Sequence, residues 1–114
     1  MKKKIAIFGS TGSIGKSLLR IINKDKENFE IILLTANKNY KELIKQTKKF
    51  NVKNVIIKDN ANYEKFKRIN KNKNLKVYNN FEFLPKIFKN KIDYLMSSII
   101  GLEGLKPTVN AIKF

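Results

Sequence analysis

Short apolar runs alternate along the chain with segments in which apolar residues recur at every third or fourth position. Each run is nearly unbroken in its apolar character, which is typical of strands buried on both faces of a parallel sheet. The sequence therefore predicts strands at residues 4–8, 30–35, 54–58 and 92–97.

The segments between these strands carry their inward-facing residues at helical spacing. In the first segment, Ile14, Leu18, Ile21 and Ile22 fall on one predicted buried face. Three later helices are predicted from similar sets, which are Tyr40, Leu43, Ile44 and Thr47; Tyr63 and Phe66; and Phe81, Leu84 and Phe88. Pro85 is compatible with the fourth helix because it lies near the helix start. Residues 71–74 are too polar to pack and predict a loop.

This alternation predicts an α/β fold of the Rossmann-like, doubly wound type, with a parallel sheet and helices on both faces. The 114 residues, 42% of them hydrophobic, fit one compact domain spanning residues 1–114. A last helix is predicted to open at Pro107, with Val109 and Ile112 facing inward, and the sequence stops within it. We therefore expect the fold to be incomplete at the C-terminus.

A glycine-rich turn, FGSTGSIGKS, follows the first predicted strand and opens the first helix. In this context Gly9 suits a tight turn, Gly12 lets a pyrophosphate approach the backbone, and Gly15 permits close packing of the helix. We expect unpaired amides at Gly12, Ser13 and Ile14 to face an anion at the positive end of the helix dipole. The hydroxyls of Thr11 and Ser13 supply further donors, so the turn predicts a dinucleotide site.

Two other interpretations of this turn are weaker. A turn used for packing alone seldom combines three glycines with hydroxyl residues between them. A phosphate-binding loop of the ATPase type needs four residues between its glycines, and only two separate Gly12 from Gly15. The spacing G-x-x-G-x-x-G also differs from the commoner dinucleotide pattern.

The second predicted strand ends in TANKN, without the acid that an NAD site places about 20 residues beyond the glycines. Lys38 is positioned to pair with a 2′-phosphate, and Asn37 and Asn39 can donate hydrogen bonds to it. The sequence therefore favours NADP(H) over NAD(H). The alternative for Lys38 is one more solvated surface lysine.

The residues that are missing limit the chemistry. Because the chain has no cysteine or histidine, disulfides, iron–sulfur clusters, ordinary zinc sites and histidine-activated nucleophiles are excluded within it. No segment reaches the roughly 18 consecutive apolar residues of a membrane span. The basic start of the chain is not followed by a signal-peptide apolar region, so we expect a cytoplasmic protein with no membrane partner.

A net charge of +16 raises nucleic acid as a possible partner. The lysines are spread along the whole chain, however, and no basic run is interleaved with aromatic residues. A solvated surface in a compositionally biased protein is the favoured interpretation, with no nucleic-acid partner. The alternative predicts an affinity that falls steeply as salt rises.

Three stretches together resemble a known family: GSTGSIG after the first strand, ANKN after the second, and MSSIIGLEGLKPTVNAI after the last. The chain is similar to the 1-deoxy-D-xylulose 5-phosphate reductoisomerases over essentially its whole length. The third stretch is the most specific, since it has the family's spacing at Gly101, Gly104, Leu105, Pro107 and Thr108.

The resemblance implies an NADPH-dependent enzyme that makes 2-C-methyl-D-erythritol 4-phosphate from 1-deoxy-D-xylulose 5-phosphate in isoprenoid biosynthesis. It implies a divalent metal, Mg or Mn, and a homodimer. The family's metal ligands and catalytic residues have no counterpart in this chain, so we expect the chain alone to be inactive. The residues that correspond to the family's cofactor contacts are Thr11, Gly12, Ser13, Ile14, Lys38 and Asn39, with Asn37 where the family usually has glycine.

The chain departs from the family at Ser97 and Ser98, which replace a small apolar pair, and at Leu102 and Glu103, which replace alanines. Alternatives therefore stay open at this point. One is the cofactor-binding domain of another NADP-dependent oxidoreductase, and the other is a stand-alone dinucleotide-sensing module.

Overall fold

The computed structural model describes residues 2–88 and 92–97. Strands and helices alternate through these residues as the sequence predicts. The strands are β1 (Lys3–Phe8), β2 (Phe29–Ala36), β3 (Asn54–Ile57), β4 (Lys76–Tyr78) and β5 (Tyr94–Ser97). The helices are α1 (Ser13–Asn23), α2 (Tyr40–Phe50), α3 (Asn60–Ile69) and α4 (Leu84–Ile87), and a short 3₁₀ turn covers Lys26–Asn28. The helix predicted from Pro107 lies outside the described residues.

The five strands form one parallel sheet in the order β4-β3-β2-β1-β5. The chain moves outward from β1 to β4 and then returns to place β5 on the other side of β1. The strand order therefore reverses beside β1, and in open α/β sheets ligands bind where this reversal leaves a crevice at the carboxyl ends of the strands. The predicted fold class is confirmed.

Two apolar cores cover the two faces of the sheet because side chains alternate along each strand. Ile5 and Ile7 of β1 pack with α1, α2 and α3 on one face, whereas Ala6 and Phe8 pack with α4 on the other. The register of β2 against β1 shifts between Ile5 and Ala6, so that Ile32 is the extra residue of a bulge.

The buried face of α1 differs from the prediction by one residue. Ile14 and Ile21 are 56% and 65% exposed, while the buried positions are Gly15, Leu19 and Ile22. One residue corresponds to about 100° around a helix. Gly15 causes this rotation because it alone is small enough to lie against the preceding turn.

Strand β4 was missed by the sequence pattern. Its three residues, KVY, lie at the edge of the sheet and are only exposed or half-buried, so they lack the apolar run of an inner strand. They pair with β3, with Asn54 opposite Lys76. The other strands differ from the predicted bounds by one or two residues. No helix within the described residues is long and apolar enough to cross a membrane.

Candidate functional site

The predicted site residues follow two neighbouring strands at the carboxyl edge of the sheet. Residues 9–12, the first turn, connect β1 to α1, and residues 37–39, the second loop, connect β2 to α2. Because β1 pairs directly with β2, both segments leave the same edge next to the point where the strand order reverses. The fold therefore brings together the two segments that sequence reasoning assigned to one site.

The first turn is bound tightly to the end of β2. Gly9 has a φ of 76°, a backbone conformation that glycine adopts without strain. The amides of Gly9 and Ser10 both donate to the carbonyl oxygen of Thr35, at 3.1 Å and 3.0 Å. The Gly9 amide also lies 3.0 Å from Thr35 Oγ1. The tight turn predicted at Gly9 is present, and β2 fixes its position.

A buried polar pair that the sequence analysis missed ties the same turn to α2. The Ser10 hydroxyl donates to Gln46 Oε1 at 2.8 Å, and Gln46 Nε2 donates to the Ser10 carbonyl oxygen at 2.9 Å. Ser10 is fully buried and Gln46 is 5% exposed. The available signal was a glutamine on the inward face of α2, beside Leu43 and Thr47.

Gly12 and Gly15 are glycines for different reasons. A Cβ at Gly15 would clash with the carbonyl oxygen of Gly9 and lie 2.5 Å from Ser10 Cα, so the fold itself requires glycine there. At Gly12 a Cβ would be 3.7 Å from its nearest neighbour, an ordinary contact, and the backbone angles of −78° and 174° suit any residue. Neither packing nor the backbone angles require glycine at position 12, although glycine is one of the residues preferred at a helix N-cap.

The start of α1 differs from the prediction at one amide. The Gly12 amide is paired, because it donates to Gly9 O at 3.3 Å. The first intrahelical bond runs from the Lys16 amide to Gly12 O at 2.9 Å, and the described residues offer no partner to the amides of Ser13 and Ile14. Gly12 is the N-cap residue of α1, but no side chain accepts a hydrogen bond there, and the opening turn of the helix itself has no acidic residue. Two amides and the positive helix end remain available to an anion.

The second loop is held by its backbone while its side chains extend into solvent. The Asn37 carbonyl oxygen accepts from the Asp59 amide at 3.0 Å, and the Lys38 carbonyl oxygen accepts from the Tyr40 amide at 2.7 Å. Asn39 Oδ1 caps α2 by accepting from the Glu42 amide at 3.2 Å, which leaves the Asn39 side-chain NH₂ as a donor. Asn37, Lys38 and Asn39 are all exposed.

Asn37 stands at the position where the family that the chain resembles usually has glycine, and it causes no backbone strain there. Within residues 2–88 and 92–97, the non-glycine residue with positive φ is Asn51, at the end of α2. Asn37 therefore has an ordinary conformation, and its side chain adds an amide at the edge of the site.

An acidic residue, Asp59, interacts electrostatically with Lys38 in the structure, although the two residues are far apart in the sequence. Asp59 is the N-cap of α3, just beyond the carboxyl end of β3, and its Oδ2 accepts from the Asn62 amide at 3.1 Å and from Asn62 Nδ2 at 2.6 Å. These bonds lower the pKa of the Asp59 carboxyl, desolvation opposes them, and the charges of Lys38 and Lys65 lower the pKa further. Lys38 therefore has a carboxylate in its electrostatic surroundings.

The described residues contain no group of three or more His, Cys, Asp or Glu side chains that could hold a divalent metal ion. The fold, the first turn and the second loop define a Rossmann-like α/β domain, with the uncapped start of α1 at the carboxyl edge of its sheet. The family model for 1-deoxy-D-xylulose 5-phosphate reductoisomerase matches residues 5–114, and the chain belongs to this family.

Individual relatives agree with the family match. The chain is 61% identical to the 1-deoxy-D-xylulose 5-phosphate reductoisomerase of Pelagibacter ubique and 40% identical to that of Phocaeicola vulgatus. These alignments cover 98% and 99% of this chain but 29% and 30% of the relatives. The chain thus spans less than a third of the length of the curated relatives it matches.

Solved structures show the same relationship. The Zymomonas mobilis reductoisomerase in complex with NADPH superposes with a TM-score of 0.89 at 32% identity, over 99% of this chain and 30% of the other. A reductoisomerase in complex with NADPH, fosmidomycin and magnesium superposes with a TM-score of 0.84 at 26% identity, over 96% of this chain and 27% of the other.

Proposed function

We propose that residues 1–114 form the NADPH-binding domain of a 1-deoxy-D-xylulose 5-phosphate reductoisomerase. The observation that carries the proposal is the glycine at position 12, which leaves open space at the start of α1. Glycine is required there neither by the backbone nor by packing, yet it stands at the uncapped start of α1. A pyrophosphate lying against this backbone explains it, because any side chain would occupy the space of the ligand.

In this proposal the first turn holds the pyrophosphate and the second loop holds the 2′-phosphate. Thr11, Gly12, Ser13 and Ile14 provide hydroxyl and amide donors at the positive end of α1. Exposure of Ile14, which contradicts its predicted burial, fits this role because its side chain remains able to contact the cofactor. Asn37, Lys38 and Asn39 surround the 2′-phosphate with one cation and two amides.

The role of this chain in the reaction is to bind and orient. NADPH supplies the hydride when it is bound, in the reaction that yields 2-C-methyl-D-erythritol 4-phosphate. Holding both phosphate groups of the cofactor fixes the position of the nicotinamide against a sugar-phosphate substrate. Mg or Mn would be held by residues other than those described here, so we assign no metal ligand to this chain and expect no turnover from it alone.

The setting of the protein follows from the same assignment. We propose a cytoplasmic location, a homodimer of the complete enzyme, and no nucleic-acid or membrane partner. The dispersed lysines support the absence of a nucleic-acid partner, since no basic run is interleaved with aromatic residues on which bases could stack.

Calorimetric titration of the chain with NADPH and NADH at physiological salt tests the proposal. We expect tighter binding of NADPH by about tenfold or more, which corresponds to roughly 1.4 kcal/mol of extra interaction with the 2′-phosphate. Lys38→Ala should abolish most of this preference without changing the affinity for NADH.

Lys73→Ala is the matched control. Lys73 is also an exposed lysine, but it precedes β4 and so lies toward the opposite edge of the parallel sheet. Its replacement should change neither affinity. Equal affinity for the two nucleotides in the native chain, or an equal effect of both substitutions, would contradict the proposed site.

A further inference from the structure

Gln46 occupies an unusual position for a glutamine. It lies in the middle of α2 on the face that packs against the sheet, and it is 5% exposed. Burying an amide costs free energy unless each polar atom finds a partner. Both ends of the Gln46 side chain find their partners in Ser10, a residue of the first turn.

The chemistry of Ser10 fixes the orientation of the Gln46 amide. A carbonyl oxygen can only accept, so Nε2 must face Ser10 O, and Oε1 then receives the Ser10 hydroxyl. Glu42 Oε2 accepts the second Nε2 hydrogen at 3.3 Å. Each Gln46 polar atom is thus satisfied in one arrangement only, which makes the connection between α2 and the turn stiff.

The same helix carries the second loop at its start. Asn39 is the N-cap of α2 and lies seven residues before Gln46, or about 10 Å along the helix axis. The first turn and the second loop are therefore connected in two ways, through β1 and β2 and through the Ser10–Gln46 pair. A displacement of α2 would move Lys38 and Asn39 relative to Gly12.

We propose that Gln46 is a positioning residue that sets the distance between the pyrophosphate turn and the 2′-phosphate loop. It touches no part of the cofactor and acts through Ser10 on one side and through α2 on the other. The inference rests on the proposed NADPH site and extends it to a residue outside that site. Its specific consequence is that Gln46 matters only to a ligand that bridges both phosphate sites.

Two ligands separate this role from a general effect on folding. NADPH spans both segments, whereas adenosine 2′-monophosphate carries only the 2′-phosphate end and contacts only the second loop. In Gln46→Met, a substitution of similar length without polar partners, we expect NADPH affinity to fall roughly tenfold. The affinity for adenosine 2′-monophosphate should remain within about twofold of the native value.

Lys45→Met is the control, because Lys45 is the adjacent and exposed residue of the same helix. It should leave both affinities unchanged.

Ser10→Ala is a second variant, which removes one of the two hydrogen bonds with little change in volume. It should lower the affinity for NADPH by about threefold and leave the affinity for adenosine 2′-monophosphate unchanged. If Gln46→Met is unfolded under the conditions of the binding measurement, Ser10→Ala provides the test instead. In the double variant, the loss in the free energy of NADPH binding should be smaller than the sum of the two single losses, because both substitutions remove the same connection.

The outcomes are distinguishable. One outcome is that the native chain binds NADPH and that Gln46→Met and Ser10→Ala both bind it with the native affinity. In that case Gln46 has no positioning role and the proposed function stands. Equal losses for NADPH and adenosine 2′-monophosphate in a folded variant would likewise overturn the positioning role. If the native chain binds neither ligand, the proposed NADPH site fails and the positioning role fails with it.

Discussion

The two segments of the candidate site are built in opposite ways. In the first turn, Ser10 is fully buried and hydrogen bonds run to both β2 and α2, while Gly15 of α1 lies against the backbone of the turn. In the second loop, Asn37, Lys38 and Asn39 are exposed and only their backbones and one cap are engaged. Substitutions of the tightly packed residues Ser10 and Gly15 should therefore affect folding as well as binding, whereas those in the second loop should mainly change which nucleotide binds.

The largest expected effect is that of Gly15→Ala. Its Cβ would meet Ser10 Cα at 2.5 Å and Ser10 C at 2.7 Å, and these are backbone atoms that cannot rotate away. We expect a loss of about 3 kcal/mol in the free energy of unfolding. Urea denaturation followed by circular dichroism measures it. A variant as stable as the native chain would show that the turn is looser than its contacts indicate.

Gly12→Ala sharpens the contrast within the same turn. Because the new Cβ has an ordinary contact distance of 3.7 Å, the loss in the free energy of unfolding should be limited to the cost of alanine at an N-cap, about 1 kcal/mol or less. NADPH affinity should fall by at least roughly tenfold, since the methyl group takes the place of the pyrophosphate. Denaturation and calorimetry on one preparation separate the two effects. Retained affinity would remove the main support for the proposed site.

Asn39→Asp tests the second loop. Aspartate caps a helix as well as asparagine does, so the stability of α2 should be preserved, while Asn39→Ala should cost about 1 kcal/mol. The added negative charge should repel the 2′-phosphate and reduce the preference for NADPH over NADH by about tenfold. Competition titrations with the two nucleotides measure this change. An unaltered preference in Asn39→Asp would place the 2′-phosphate elsewhere.

The smallest effect concerns Asp59, at the neighbouring strand end. Its pKa is lowered in the folded chain from an ordinary value of 3.8, so its stabilising contribution is complete above that value and is lost as pH falls through the lower folded pKa. The difference in urea midpoint between the native chain and Asp59→Ala should be largest at neutral pH and shrink below about pH 4. A difference that stays constant with pH would assign it to something other than the carboxylate.

Much of the fold could be predicted because its signals are local. Residues 4–8 and 30–35 predict inner strands because their apolar character is nearly unbroken, and the glycines after residue 8 stand at the right place for a strand-to-helix turn. The edge strand β4 could not be found in this way, because its KVY residues are only partly covered and need no apolar run.

The sequence motifs name the candidate site residues, whereas the contacts that depend on tertiary packing could not be predicted from the sequence. Ile14 and Ile21 satisfied the helical spacing, but the close contact of Gly15 with Ser10 turned them outward. The pairing of Ser10 with Gln46 joins residues 36 positions apart, and only the tertiary structure brings them together. Asp59 reaches the surroundings of Lys38 for the same reason, from the end of the next strand.

The most direct measurement of the central claim is a titration of the isotopically labelled chain with NADPH, followed by the backbone amide resonances. We expect two separate groups of amides to shift together with one affinity, those of residues 11–14 at the start of α1 and those of residues 37–39 in the second loop. The amides of residues 70–74, which lie toward the opposite edge of the sheet, should not move. Shifts confined to one group, or shifts centred on residues 70–74, would contradict a dinucleotide site built from these two segments.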